Sequence, residues 1–214
     1  MHGIGEAGIP YRGRALAGDV LRALGRSRRS ILTILGLHII ALVVGAVMVH
    51  TGNEFALHSR DEIVARAHAS DPSAIALQQG NRVKAALLDF RGNLFLGAMP
   101  LTGSGLAVVT AIPIVGYRGW IGGIVSVDGD HVSRLANGQE AFYYLLTLIL
   151  QSIPYSLAGG AGVNIGWAYF RPQPCYRGNK WLGYPKEAVF DALRIYVVVV
   201  PLFLVASLWE FLGR

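Results

Sequence analysis

The sequence predicts an all-α integral membrane protein: a bundle of about five transmembrane helices behind an N-terminal amphipathic surface helix, with four spans plus a re-entrant segment as the alternative. Three observations lead there. Of 214 residues, 53% are hydrophobic and only 15% charged, whereas soluble domains average about 25% charged. The apolar residues fall in runs that approach or exceed the ~20 a bilayer-spanning helix needs. The 27 glycines lie largely within those runs, where small residues let helix backbones approach closely. This length holds four or five spans and modest loops, so a single membrane domain over residues 30–214 is expected to follow an arm over residues 1–29.

Residues 1–13 are Gly-rich and irregular. From Arg14 to Arg28, Leu16, Val20, Leu21 and Leu24 share a face, with Arg22, Arg26 and Arg28 on the others. That is the spacing of a basic amphipathic helix on a membrane surface, where it would meet anionic headgroups. The first span, Ser30 to Thr51, is longer than the apolar core of a cleavable signal peptide, and no small-x-small site with a polar mature start follows cleanly, so it is expected to remain as a helix. Arg12, Arg14, Arg22, Arg26, Arg28 and Arg29 precede it. The positive-inside rule therefore places the N-terminus in the cytoplasm. No base-stacking aromatics interleave with these charges, so the net charge of +6 is an orientation signal and no nucleic-acid partner is expected.

Residues 52–83 are polar and form an outer-face helical excursion of two short helices. Ser59 to Glu62 has the pattern of a capping box. Asp71 is an N-cap followed by Pro72 at the first helical position, and Gly80 is a stop. Val83 to Val127 admits two readings. Either two short spans turn at Pro100 to Gly105, or one span over about 92–116 precedes a re-entrant piece. Asp128 to Glu140 is a polar loop, Ala141 to Phe170 a span, Arg171 to Lys186 a Pro-rich basic loop, and Val189 to Leu212 the last span. Five spans put Arg171, Arg177, Lys180 and Lys186 in the cytoplasm, as charge bias prefers; four put them outside. Cys175 is the only cysteine, which excludes an intrachain disulfide.

Arg194 to Phe211 is an apolar run with Pro201-Leu202, then Ala206, then Glu210-Phe211; it resembles the ending of the stage II sporulation protein M family of prokaryotic multi-span membrane proteins. Ala158 to Gly166 is similar to that family's small-residue span. Asn81 to Leu87 resembles its Asn-led second hydrophobic region, and Gly116 to Gly122 its Asn-Gly-x-x-x-Gly turn. The likeness covers roughly residues 30–212 in order. It departs in one place: where the family has Pro-His-Gly and then a Glu, this chain reads Leu146 to Pro154 with Gln151 and no ionisable group. Membership implies a multi-pass protein of the prokaryotic inner membrane, and the sporulating members are linked to assembly of a peptidoglycan-remodelling machine.

Within the apolar runs, polar and small residues mark candidate contacts. Glu210 either pairs with Arg194, Arg118 or a partner chain, or reaches the headgroups beside Trp209. Gln151 and Asn164 are positioned for interhelical hydrogen bonds. Gly159, Gly160, Gly162 and Gly166 read as a close helix crossing within the chain. His38 is a potential axial ligand, but His50 lies about 120° around the helix from it, and no cofactor is expected. Asp128, Asp130 and His131 make a solvated turn rather than a metal loop. There is no HExxH, Cys pair, phosphate-binding Gly loop or Gly-x-Ser-x-Gly elbow. The expected function is a non-enzymatic membrane scaffold or accessory subunit that docks other integral membrane proteins. A small-solute transporter or channel is the alternative, motivated by the Pro and Gly breaks of 83–127.

Overall fold

The computed structural model describes the backbone of residues 10–213 and the side chains of 16–213. Most of the Gly-rich start, residues 1–9, lies outside the described residues. The protein is mostly helical, and among the described residues three helices are long and apolar enough to cross a membrane. They are residues 16–50 of α1 (Pro10–His50), α7 (Gly138–Phe170) and α8 (Lys186–Leu212).

The expected count of five such helices is not reached, because the stretch 83–127 is divided. It forms α4 (Arg82–Arg91), a π-helical turn (Gly92–Ala98), α5 (Met99–Gly105) and α6 (Ala111–Ile124). Pro100 explains the π-helical turn. It lacks an N–H and its ring crowds the carbonyl four residues back, a conflict that the wider π turn just before it absorbs. The chain reverses over 106–110, after the predicted turn at Pro100 to Gly105, with Val108 at φ 56°.

The N-terminal arm is not a separate surface helix. α1 runs unbroken for 41 residues, about 60 Å at 1.5 Å per residue, and carries the arm straight into the first span. Val20, Ala23, Ser27, Ile34, His38, Gly45 and Val49 are buried along it, at the three- and four-residue spacing of one helical face. Val20 and Ala23 of the arm therefore pack on protein, while Leu16 and Leu21 stay exposed.

The excursion after α1 contains α2 (Glu54–Ser70) and α3 (Pro72–Gln78). α2 starts before the expected box at Ser59, because Asn53 caps it by accepting from Ala56 N; Ser59 and Glu62 lie inside the helix. Asp71 caps α3 through Ser73 N, and Gly80 stops the chain at φ +77°. Asn81 and Asn137 cap α4 and α7 in the same way. Ahead of α8, the loop 171–185 folds into a small antiparallel hairpin, β1 (Lys180–Trp181) and β2 (Tyr184–Pro185). Its turn uses Leu182 and Gly183, both at positive φ, as a two-residue hairpin turn requires.

Interhelical contacts set the directions. Gly119 of α6 meets His38 of α1 and Gly123 meets Leu42, so these helices run parallel. Gly97, Leu101 and Gly105 meet Tyr155, Gly159 and Gly162 in turn, which makes α4–α5 parallel to α7. α7 opposes α1, with Gly160 on Ile31 and Tyr144 bonded to Gly122 O further up. α8 opposes α7, with Phe203 on Tyr155. Thus α1, α6 and α8 point one way and α4–α5 and α7 the other. The main core lies between α1, α5, α6, α7 and α8; a smaller one joins the end of α1 to α2 and α6.

Outside the bundle, the 125–137 loop is clasped to α2. His131 Nε2 lies 2.9 Å from Asp61 Oδ2. Asp128 Oδ1 accepts from the backbone of Asp130 and Val132, and those backbone donors, Val132 first, hold its carboxyl below the usual range. The Arg60 guanidinium beside Asp61 lowers that carboxyl too, with His131 contributing. A lowered folded pKa stabilises above the ordinary carboxylate range, and the contribution disappears as pH falls through the lowered value. Asp61→Asn is expected to remove the Asp61 share of this acid dependence and to quicken amide exchange of 125–137 by less than about fivefold, since exposed pairs are worth under ~1 kcal/mol; unchanged exchange would show that the clasp carries nothing.

Candidate functional site

Towards the His50 end lies an open cavity of about 580 Å³, to which α1, α2, α3, α4, α6, α7 and α8 all contribute side chains. Ionisable and polar side chains that converge on one cavity mark a candidate functional site. Two i, i+4 pairs supply its floor. Asp89 and Asn93 lie on one face of α4 and the π turn, and Gln151 and Tyr155 on one face of α7. Asn93 donates to Asp89 Oδ2 at 2.8 Å and accepts from the Tyr155 hydroxyl at 2.6 Å. Ser207 of α8 donates to the same Asp89 oxygen at 2.7 Å.

Arg118 of α6 lies over the Tyr155 ring, with its guanidinium carbon 4.5 Å from the centroid. It makes no ion pair with a described residue. Tyr155 meets Arg118 through its ring and, through its hydroxyl and Asn93, is linked to Asp89. Tyr155 therefore sits at the centre of a mixed-charge site. Tyr155→Phe removes one hydrogen bond and keeps the ring under Arg118, so a loss of about 1 kcal/mol in thermal stability is expected; a much larger loss would mean that the hydroxyl organises the whole cluster.

The candidate residues divide between this cavity and the opposite half. Glu210 and Gln151 are bonded to each other on the cavity wall. Neither expected cation partner meets Glu210: Arg194 pairs with Glu187 and Asp191. Trp209 stacks on Tyr143, with its indole N–H buried and unbonded among the described residues. His38 lines the cavity, while His50 bonds Ala46 O and Ser133 at the helix end.

Gly159, Gly160, Gly162 and Gly166 lie in the other half. A Cβ on Gly160 would stand 2.5 Å from Ile31 Cα, one on Gly162 2.2 Å from Thr102 O, and one on Gly166 2.5 Å from Leu106 O. Small residues here allow backbone-to-backbone contact with α1 and α5. Asn164 donates to the Tyr176 hydroxyl, which donates to Asp191 at 2.8 Å. Asp191 is fully buried and also accepts a two-pronged contact from Arg26 and a bond from Arg194. Burial pushes the Tyr176 phenol up, so it remains a neutral donor.

Sequence reading named Gln151, Glu210 and Asn164 but missed the other members of the two polar clusters, the Gly45–Gly119–Gly123 crossing and the pairing of Arg118 with Tyr155. Asp89 with Asn93 carried a signal, an i, i+4 polar pair inside an otherwise apolar stretch. Asp191 carried none that distinguishes it from the solvated acids of a helix start. No protein-family model matches the chain, and comparison with curated proteins and with solved structures finds no match.

Proposed function

We propose that this chain is a non-enzymatic integral membrane scaffold or accessory subunit that docks or stabilises other membrane proteins in a larger complex. The observation carrying this reading is the interlock of the Arg26 half of the bundle. Gly160 on Ile31, Gly162 on Thr102 and Gly166 on Leu106 are contacts between backbones, and Arg26, Asp191 and Tyr176 tie α1, α8 and the 171–185 loop together. Such a body holds its shape; it offers surfaces to partners rather than a path for solutes. Ile40, Val43, Val44 and Val47 of α1 and Leu193, Val197 and Val205 of α8 are exposed apolar residues available to lipid or to a partner helix.

The membrane placement belongs to the same proposal. α4–α5 and α6 make two further crossings, giving five, with the N-terminus cytoplasmic. Two facts support it: the alternating helix directions, and the meeting of both basic segments at one end, where Gln173 reaches Arg26 O. Arg22, Arg28, Arg29, Arg171, Arg177, Lys180 and Lys186 then face the cytoplasm, with anionic headgroups as their partners. Asp61, Glu62, Asp71, Asp128, Asp130 and Glu140 lie at the other end. Membership of the stage II sporulation protein M family is likewise inferred, from the ordered motifs.

Purification in mild detergent should bring down a stoichiometric membrane-protein partner, whereas recovery as a lone, monodisperse monomer would count against docking. The second reading, a small-solute transporter, draws on the cavity and the π-helical break, since broken helices at membrane depth occur where they line a cavity. Flux of a solute into proteoliposomes holding only this chain would favour it over the scaffold.

A further inference from the structure

The polar cavity has a neighbour. On the outer side of α6, Pro113, Ile114 and Tyr117 form an apolar groove of about 500 Å³ that shares Arg118 and Ile121 with the cavity. The Arg118 guanidinium, without an ion pair to a described residue, therefore stands where a polar chamber meets an apolar trough. Across the chamber is the Asp89 carboxylate. The two hydrogen bonds it accepts from described residues, from Asn93 and Ser207, both fall on Oδ2, leaving Oδ1 without a bond from any described residue.

We propose that this composite site binds a membrane lipid whose headgroup joins a phosphate to a primary ammonium. Arg118 takes the phosphate, as a planar guanidinium does through paired N–H donors. Asp89 Oδ1 takes the ammonium, with Tyr155 and Asn93 lining the span between. The Ile114–Tyr117 groove takes the start of an acyl chain. A lipid fits better than a soluble solute because the anion-binding group is shared with an apolar groove on the surface of a helix whose Ile112, Ile114 and Tyr117 are exposed. The opposed charges of Arg118 and Asp89 disfavour a headgroup carrying only an anion. The inference goes beyond the scaffold reading and rests only on the chain lying in a membrane.

The test is native mass spectrometry of the full chain after detergent exchange into mixed vesicles of phosphatidylethanolamine, phosphatidylglycerol and phosphatidylcholine. Phosphatidylethanolamine should be retained at least about tenfold over the other two, since phosphatidylglycerol lacks the ammonium and phosphatidylcholine cannot donate N–H bonds to Asp89. Arg118→Gln should reduce that retention about tenfold, and Asp89→Asn should erase the preference over phosphatidylglycerol. Melting curves check that each variant folds. Should Arg118→Gln fail to fold, Ile114→Trp fills the groove from its exposed side and should lower retention alone. Headgroup-indifferent binding, or retention unchanged in these variants, overturns the proposal. Competition by soluble phosphoethanolamine as strong as by the lipid assigns the chamber to a soluble zwitterion and overturns the lipid. Partner recovery from mild detergent reads the scaffold separately, so either reading can fail alone.

Discussion

Gly123→Ala is expected to prevent the α1–α6 crossing from forming, at a cost of about 3 kcal/mol or more. A Cβ there would stand 2.1 Å from Leu42 O, 2.6 Å from Ala46 N and 2.9 Å from Gly45 Cα. All three are backbone atoms, so no rotamer change relieves them and the two helices must separate. Gly45 and Gly119 sit in the same seam, with a Cβ on either reaching 2.4 Å from a carbonyl oxygen opposite. Alanine at Gly36 or Gly116, helical positions where a Cβ meets nothing within 4 Å, provides the matched control. There the change should be under about 1 kcal/mol and stabilising, because alanine limits the unfolded backbone. Thermal melting with size-exclusion profiles in one detergent separates these outcomes. A Gly123→Ala protein that melts like the parent would show that the seam yields.

The second large effect is expected at Asp191. Its carboxylate is fully buried and receives Arg26, Arg194 and Tyr176. Asp191→Ala leaves two guanidinium groups and a phenol facing one another. Breaking a buried pair costs about 3–5 kcal/mol. Arg26 and Arg194 keep 23% and 26% of their side chains exposed, so water can recover part of their solvation and the lower end, about 3 kcal/mol, is expected. Asp19→Ala removes a comparable contact to Arg22 at an exposed site and should cost under ~1 kcal/mol. Melting of the two variants in parallel tests the contrast. Equal, small losses would mean that α1 and α8 are held by apolar packing alone. Tyr176→Phe should fall between them, with the loss of its bonds to Asn164 and Asp191.

Several elements were legible because their causes are local. Asp71-Pro72 and Gly80 act on backbone groups within a few residues, so the start of α3 and the break before α4 follow from short stretches of sequence, whereas Asn137 starts α7 three residues ahead of the span expected from Ala141. The long apolar runs of α1, α7 and α8 likewise declare themselves by composition. The capping box at Ser59 failed because Asn53 offered an earlier cap and nothing between them breaks a helix. The boundary drawn at Arg28–Arg29 failed for a related reason. A change from basic to apolar residues alters which solvent a helix prefers without interrupting its hydrogen bonds.

The sites lie at the other extreme. Gln151 and Glu210 are 59 residues apart, Asp89 and Ser207 are 118 apart, and Arg26 and Asp191 are 165 apart. No periodicity within one segment can pair them. The small residues from Ala158 to Gly166 announced a close crossing, but their partners on α1 and α5 depended on how the helices were stacked.

The sequence by itself therefore determined a helical protein with apolar spans, the start of α3 and the stop at Gly80, and a charge bias along the chain, because these depend on transfer free energy and on hydrogen bonds made within a few residues. Tertiary structure alone decided that Arg26 and Asp191 share one end, that Asp89, Arg118, Tyr155 and Glu210 share one cavity, and that 83–127 divides into α4–α5 and α6. Those outcomes turn on which backbones can approach and which buried charges find partners, and both are properties of helices already packed together.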